Sequence, residues 1–297
     1  MRIARRSILG FLRPIHDIPT PQPNRLNHLY PAVPGGLVRL GPLQAGGVGW
    51  GEVTVANWPD DYLIPGIEPY HQEEAGIIYC GDCRDILPHL PKVDLVLTDP
   101  PYGIAHPCDF QKRGRGKLAK CTNYADVVGD NEPFDPARIL ALGVPTVLWG
   151  SNYYADKLPS MSGWLIWDKK RPDELDQATV ELAWTNFVKG ARVFRYLWNG
   201  MIRAGHDELY HPTQKPVALM KWCLSLKWTP TGLVCDPFLG SGTTAVAAKE
   251  LGRKFIGIEI SREYCQIAVK RLRQSVLNFG EEPCIKDAPS AKQSSLL

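Results

Sequence analysis

The stretch Val93-Asp94-Leu95-Val96-Leu97-Thr98-Asp99-Pro100-Pro101-Tyr102 restricts the fold of this chain more than any other. Residues 93–97 are mostly apolar and partly β-branched, which reads as a short buried strand. Two prolines then end it. Neither can donate to a sheet ladder, and the first forces the residue before it into extended geometry. Asp99 therefore stands at the carboxyl end of a strand, the edge at which open α/β sheets place their ligands. An α/β fold is expected.

The same four residues carry a chemistry. The prolines offer carbonyls with no competing N–H on a stiff chain, beside a carboxylate and the flat face of Tyr102. That set suits a planar base held by its exocyclic amino group. Asp99 and the Pro100 carbonyl would accept its two N–H bonds, and Tyr102 would stack on the ring for about 0.5–1.5 kcal/mol. A strand end followed by a proline turn accounts for these residues equally well. A second stretch decides between the two.

That stretch is Leu233-Val234-Cys235-Asp236-Pro237-Phe238-Leu239-Gly240-Ser241-Gly242-Thr243-Thr244. An apolar strand runs into a glycine-rich turn, and residues 245–251 continue as a helix closed by Gly252. Glycine there permits close backbone approach to a nucleotide-type ligand. No lysine precedes Thr243, so the turn is not a P-loop. Residues 254–258 form the next strand and end in Glu259, about twenty residues beyond the glycines, where a carboxylate accepts from ribose hydroxyls. Upstream, residues 77–80 form a strand with Gly81-Asp82 at its end, and local sequence reads Asp82 as a helix cap. His211-Pro212-Thr213-Gln214-Lys215-Pro216 opens another helix, with Thr213 as its cap. Its exposed N–H groups would seat a carboxylate.

Basic residues gather after strand ends. Lys112, Arg113, Arg115, Lys117 and Lys120 alternate with Gly114 and Gly116 just beyond Tyr102, as in a loop that closes on a phosphate backbone. Lys169-Lys170-Arg171 is a second cluster. Residues 189–203 interleave basic and aromatic side chains, which fits nucleic acid and fits an ordinary amphipathic strand nearly as well. The formal charge of +3 argues nothing by itself. The tryptophans between 149 and 198 are expected mostly in the core. A single Cys80-Gly81-Asp82-Cys83 pair, with no second pair close by, implies no metal, and the scattered thiols are read as reduced and cytoplasmic. No apolar run approaches a membrane span. Residues 1–72, dense in proline and glycine, are read as a poorly ordered extension with short strands at 37–40 and 53–55. The folded domain is placed at 73–278, and 279–297 as a polar tail.

With both stretches in view, the chain resembles the amino-group DNA methyltransferases, the N4-cytosine/N6-adenine family that uses S-adenosylmethionine. Asp99-Pro100-Pro101-Tyr102 is similar to its catalytic motif, and Asp236-Pro237-Phe238-Leu239-Gly240-Ser241-Gly242 to its cofactor motif. The catalytic motif comes first, as in the family's permuted β group, and residues 108–205 between the two contain the target-recognition segment. The resemblance implies a Rossmann-like, mostly parallel sheet of seven strands flanked by helices. It implies that Phe238, Gly240, Gly242 and Thr243 line the cofactor with Asp236, that Glu259 holds its ribose, and that Asp82 approaches its adenine. Thr213 and Lys215 would face its methionyl end. Asp99, Pro100, Pro101 and Tyr102 would hold a flipped base in double-stranded DNA, with Lys112, Arg113, Arg115, Lys117 and Lys169 on the phosphates. Aspartate at position 99 resembles the adenine enzymes more than the cytosine enzymes. N4-cytosine transfer and a non-catalytic DNA-binding relative are the alternatives. The recognition segment is short for reading a long site, so a short target or a homodimer is a candidate, and whether a cognate restriction nuclease is a further partner stays open.

Overall fold

A computed structural model describes residues 57–104, 129–171, 178–199, 202–204, 208–210 and 213–274. The basic loop residues Lys112, Arg113, Arg115 and Lys117 lie outside them, as do the strands expected at 37–40 and 53–55. Among the described residues eleven strands form: β1 (His71–Gln72), β2 (Gly76–Cys80), β3 (Leu95–Thr98), β4 (Thr146–Trp149), β5 (Trp164–Asp168), β6 (Val180–Thr185), β7 (Ala191–Arg195), β8 (Trp198–Asn199), β9 (Ile202–Arg203), β10 (Val234–Asp236) and β11 (Phe255–Glu259). The helices are α1 (Cys83–Ile86), α2 (Ala137–Leu140), α3 (Val217–Leu224), α4 (Thr243–Glu250) and α5 (Arg262–Gln274). None is long and apolar enough to cross a membrane.

Nine strands share one sheet in the order β1-β2-β11-β10-β3-β4-β6-β5-β7, while β8 and β9 pair separately. The seven-stranded expectation is corrected here. Strands β2, β11, β10, β3 and β4 run parallel, whereas β1, β6 and the β5–β7 pair bring in antiparallel joins. The two additional strands sit at the edges. One is only two residues long and leaves no periodic signal. The other, β7, came from the basic-aromatic stretch, and its alternating exposure is that of an amphipathic strand. Phe194 turns inward and stacks on Trp222 at 5.3 Å.

Both faces of the parallel part are covered, which is why its strands read as continuous apolar runs. Leu95 and Leu97 face one core with α3, α4 and α5, while Val96 faces the other with Ile77, Tyr79, Cys235 and Ile258. Trp149, Trp167 and Trp184 are fully buried. Packing begins ahead of residue 73: Ile64 is buried against the second core, and its N–H donates to the Tyr79 hydroxyl.

Chain direction reverses between β3 and β10. From β3 the chain moves outward through α2 to β4, and from β10 it moves the other way through α4 to β11. Such a switch point opens a crevice at the carboxyl ends of the two strands. Asp99-Pro100 and Asp236-Pro237 are the residues that meet there.

Candidate active site

A cleft of about 1200 Å³ lies over that crevice, and residues of both Asp-Pro stretches line it. The two halves are tied directly. The Thr98 hydroxyl at the end of β3 donates to Asp236 Oδ1 at the end of β10, at 2.6 Å, across 138 residues of sequence. The Phe238 N–H donates to the same oxygen at 3.1 Å. Asp236 is thus buried and braced by neutral donors, and burial pushes its carboxyl up to about 6.

The glycine turn has the shape its sequence implies. Gly240 sits at φ +52, and a Cβ there would meet nothing within 4 Å, so the backbone faces open cleft. Its N–H donates to Glu259 Oε2 at 2.7 Å, and the Ser261 N–H donates to Oε1 at 2.8 Å. Each oxygen keeps lone-pair capacity for a further donor such as a hydroxyl. Burial raises the Glu259 carboxyl, since these donors are neutral. From α5, the buried Arg271 donates to the Ser241 carbonyl at 2.8 Å and to Thr243 Oγ1 at 3.1 Å. Arg271 gave no signal in the sequence, because its partners lie 28–30 residues away and helical spacing marks only its burial. Asp82 is an N-cap, as its local sequence implied: its carboxylate accepts from the Arg84 N–H at 2.8 Å and pairs with the Arg84 guanidinium.

The half around Asp99 is built differently. After Asp99 the chain turns sharply, and Asp130 Oδ1 accepts from the Tyr102 N–H at 3.0 Å and the Gly103 N–H at 2.9 Å. The Tyr102 hydroxyl donates to Asp99 Oδ1 in a short bond. Tyr153 stacks on the Tyr102 ring at 5.0 Å. Gly150, in the left-handed conformation at φ +69, lies so close to that ring that a Cβ would overlap it.

Lys215 was read toward the methionyl end of a cofactor, and the structure places its ammonium on Asp99. Nζ donates to Asp99 Oδ2 at 2.6 Å and to the Tyr102 hydroxyl at 3.0 Å, and it lies 3.0 Å from Glu181 Oε2. Glu181 in turn pairs with Lys169. Lys169, read as a phosphate contact, therefore reaches inward, and its side chain is only 10% exposed. Thr213 is exposed and is not the helix cap. Pro216 holds that position with extended ψ, and α3 starts at Val217. The residue between Thr213 and Lys215 completes a strap: Gln214 Oε1 accepts from the Ser241 hydroxyl at 3.1 Å. Neighbouring side chains of one segment thus hold the glycine turn and the Asp99 strand. Glu181 did carry a sequence signal, a lone charge within the strand Val180-Glu181-Leu182-Ala183-Trp184.

Comparison with known proteins fits this arrangement. The DNA methylase family of N6 and N4 enzymes matches residues 167–270. The type II methyltransferase M2.DpnII of Streptococcus pneumoniae is 52% identical over 258 residues, covering 72% of this chain and 96% of its own length. The chain belongs to the amino-group DNA methyltransferase family. It is an S-adenosylmethionine-dependent enzyme of the N6-adenine or N4-cytosine type. The type II methyltransferase M2.LlaDCHI of Lactococcus lactis subsp. cremoris is 26% identical over 260 residues, 72% of this methyltransferase and 97% of its own length. The crystal structure of the M1.HpyAVI–SAM complex is 27% identical, covers 66% of this chain and 98% of its own, and superposes with a TM-score of 0.43.

Proposed function

We propose that this methyltransferase acts on the exocyclic N6 of an adenine rotated out of double-stranded DNA. The observation that carries the reading is the Thr98–Asp236 bond, which puts the Asp99-Pro100 acceptors and the Gly240 turn in one cleft. The turn fits S-adenosylmethionine: Gly240 leaves open space, Phe238 borders it, and Glu259 presents oxygens to ribose hydroxyls. Bound there, the cofactor supplies an electrophilic sulfonium methyl.

The chain's own residues prepare the acceptor. An amino group on a heteroaromatic ring is a poor nucleophile because its lone pair is delocalised into the ring. Asp99 and the Pro100 carbonyl accept its two N–H bonds and favour a pyramidal nitrogen. Oδ1 and Oδ2 already receive Tyr102 and Lys215, yet each oxygen keeps a second acceptor site. The Tyr102 hydroxyl is held protonated, since burial pushes it well above the ordinary tyrosine range, so it acts as a donor to Asp99. Rotating the nucleotide out of the helix costs a few kcal/mol. Positioning and fixed dipoles then do the catalytic work, with no covalent enzyme intermediate. The nitrogen sheds its proton readily after transfer, so no dedicated strong base is needed.

Adenine is favoured over cytosine by aspartate at position 99, through likeness to the adenine enzymes. The type II names of the relatives support a place in restriction–modification beside a cognate nuclease. The test is incubation with methyl-labelled S-adenosylmethionine and unmethylated duplex DNA, then digestion to nucleosides. Label in N6-methyldeoxyadenosine is the expected result. Label in N4-methyldeoxycytidine overturns the base, and no label in any nucleoside overturns the reaction.

A further inference from the structure

Four charged side chains from four separate segments form a chain of ion pairs that begins at the Asp99 carboxylate. Asp99 follows β3, Lys215 precedes α3, Glu181 lies on β6, and Lys169 follows β5. Their order is alternating: Asp99–Lys215 at 2.6 Å, Lys215–Glu181 at 3.0 Å, then Glu181–Lys169. Two carboxylates and two ammoniums leave the cluster formally neutral. The Lys215 side chain is 4% exposed, so solvent does little to screen it.

We propose that Lys215 and Glu181 are positioning residues for methyl transfer, Lys215 keeping Asp99 charged and aimed while Glu181 shares out the Lys215 charge. The inference rests on the reading of Asp99 as the acceptor of the target amino group. A protonated Asp99 would turn one of its acceptor oxygens into a donor and face the amino hydrogens with the wrong polarity. Every group facing it bears on that state. Burial is the strongest influence and raises the Asp99 carboxyl, and Glu181 adds to the rise; Lys215 works against both, and the Tyr102 hydroxyl supports the charged form by hydrogen bonding. Asp236 from β10 and Tyr154 beyond β4 also face it. Glu181 is itself divided between Lys215 and Lys169, with Arg171 also acting on it. Its carboxyl is held down to about 2, because the two lysines outweigh its burial. Lys215 is raised above the ordinary lysine range, the two carboxylates outweighing burial. The recognition segment, through β6, thus reaches the state of the acceptor-holding carboxylate.

The decisive measurement is the single-turnover methyl-transfer rate against pH on saturating duplex DNA. Wild type, Lys215→Met, Lys215→Arg and Glu181→Gln are compared, with cofactor affinity followed by calorimetry. Removing the lysine charge shifts the acid limb up by about one pH unit or more, the size expected for losing a close opposite charge. Lys215→Arg keeps the charge and leaves the limb near that of wild type. Glu181→Gln shifts the limb down, because Asp99 loses a like charge and gains the undivided lysine. A merely structural role does not move the limb in opposite directions. Limbs that stay put, or shift the same way in Lys215→Met and Glu181→Gln, overturn the inference. If Lys215→Met fails to fold, the Glu181→Gln limb decides alone. A wild-type enzyme that labels no base overturns the functional reading instead, and the two failures are told apart by that control.

Discussion

The two Asp-Pro turns of the cleft begin alike and end differently. Asp99 and Asp236 follow adjacent parallel strands, and both are turned toward the same crevice. Asp236 receives only hydroxyl and N–H donors, so burial dominates and its carboxyl rises to about 6. Asp99 receives an ammonium that reaches it from 116 residues away, which opposes but does not cancel the rise that burial causes. Glu259 and Glu181 carry the difference through to opposite directions, the first with neutral donors and raised by burial, the second with two lysines and held down to about 2. The cofactor half is held by dipoles and the catalytic half by charges. A short motif fixes where a carboxylate points, and distant partners fix its ionisation.

The comparison breaks most sharply at Asp99. Replacing it with alanine removes a preorganised acceptor, and losses of about 10²–10³-fold in rate are typical for one such group. We expect at least that loss in single-turnover transfer from Asp99→Ala, with cofactor affinity changed by less than about 3-fold. Equal losses in both would mean that the two halves do not divide the labour as their partners imply.

The contrast in ionisation gives a second effect, read in stability. Asp236 has a folded value near 6 against an ordinary 3.8. A raised carboxyl favours the fold fully below the unfolded value and loses that contribution as pH rises through the folded one. Between pH 3.8 and 6 it should therefore withdraw roughly 3 kcal/mol. Glu181 has the opposite sign, with a folded value near 2 against 4.5. Its contribution is present above pH 4.5 and is lost as pH falls toward 2, again roughly 3 kcal/mol. Denaturant titrations across pH should show Asp236→Asn flattening the first change and Glu181→Gln the second. Interchanged windows would refute the assignment of partners.

Much of this contrast was readable from sequence, and the unread part has a common physical form. Strands β3, β10 and β11 announced themselves because buried parallel strands are uninterrupted apolar runs, and the glycine turn because its backbone needs room. Asp82 declared its cap locally through Arg84. Edge strand β1 was too short to carry a period, and β7 hid its regular alternation under arginines. The ionic partners of Lys169 and Lys215 went unread for another reason. A basic residue looks the same in sequence whether it faces a ligand or a half-buried carboxylate such as Glu181. Asp130 and Arg271 brace the site through contacts more than 25 residues away, which no local window contains.

A smaller effect separates the halves through backbone. Gly150 needs φ +69, which costs a non-glycine residue about 1–2 kcal/mol, and its added Cβ would overlap the Tyr102 ring. Gly150→Ala should lower the transfer rate more than cofactor affinity, since the displaced ring belongs to the catalytic half alone. A variant that weakens cofactor binding and spares transfer would contradict this.

The smallest expected effect sharpens the comparison at the rim. Tyr153 is half exposed and lies nearly parallel to Tyr102, at an angle of 14°. A ring pair of this kind is worth about 0.5–1.5 kcal/mol, or up to roughly tenfold in an equilibrium. Its truncation leaves the ion pairs behind Asp99 in place, because Tyr153 touches the ring of Tyr102, whereas Lys215 holds Asp99 directly and the Tyr102 hydroxyl donates to it. Tyr153→Ala should therefore weaken capture of the flipped base by a few fold, seen as enhanced fluorescence of a 2-aminopurine probe that is less well stacked. The acid limb of the transfer rate should keep its position. A limb that moved with Tyr153 would mean that stacking and ionisation in the catalytic half are one coupled property, and that charge alone does not define that half.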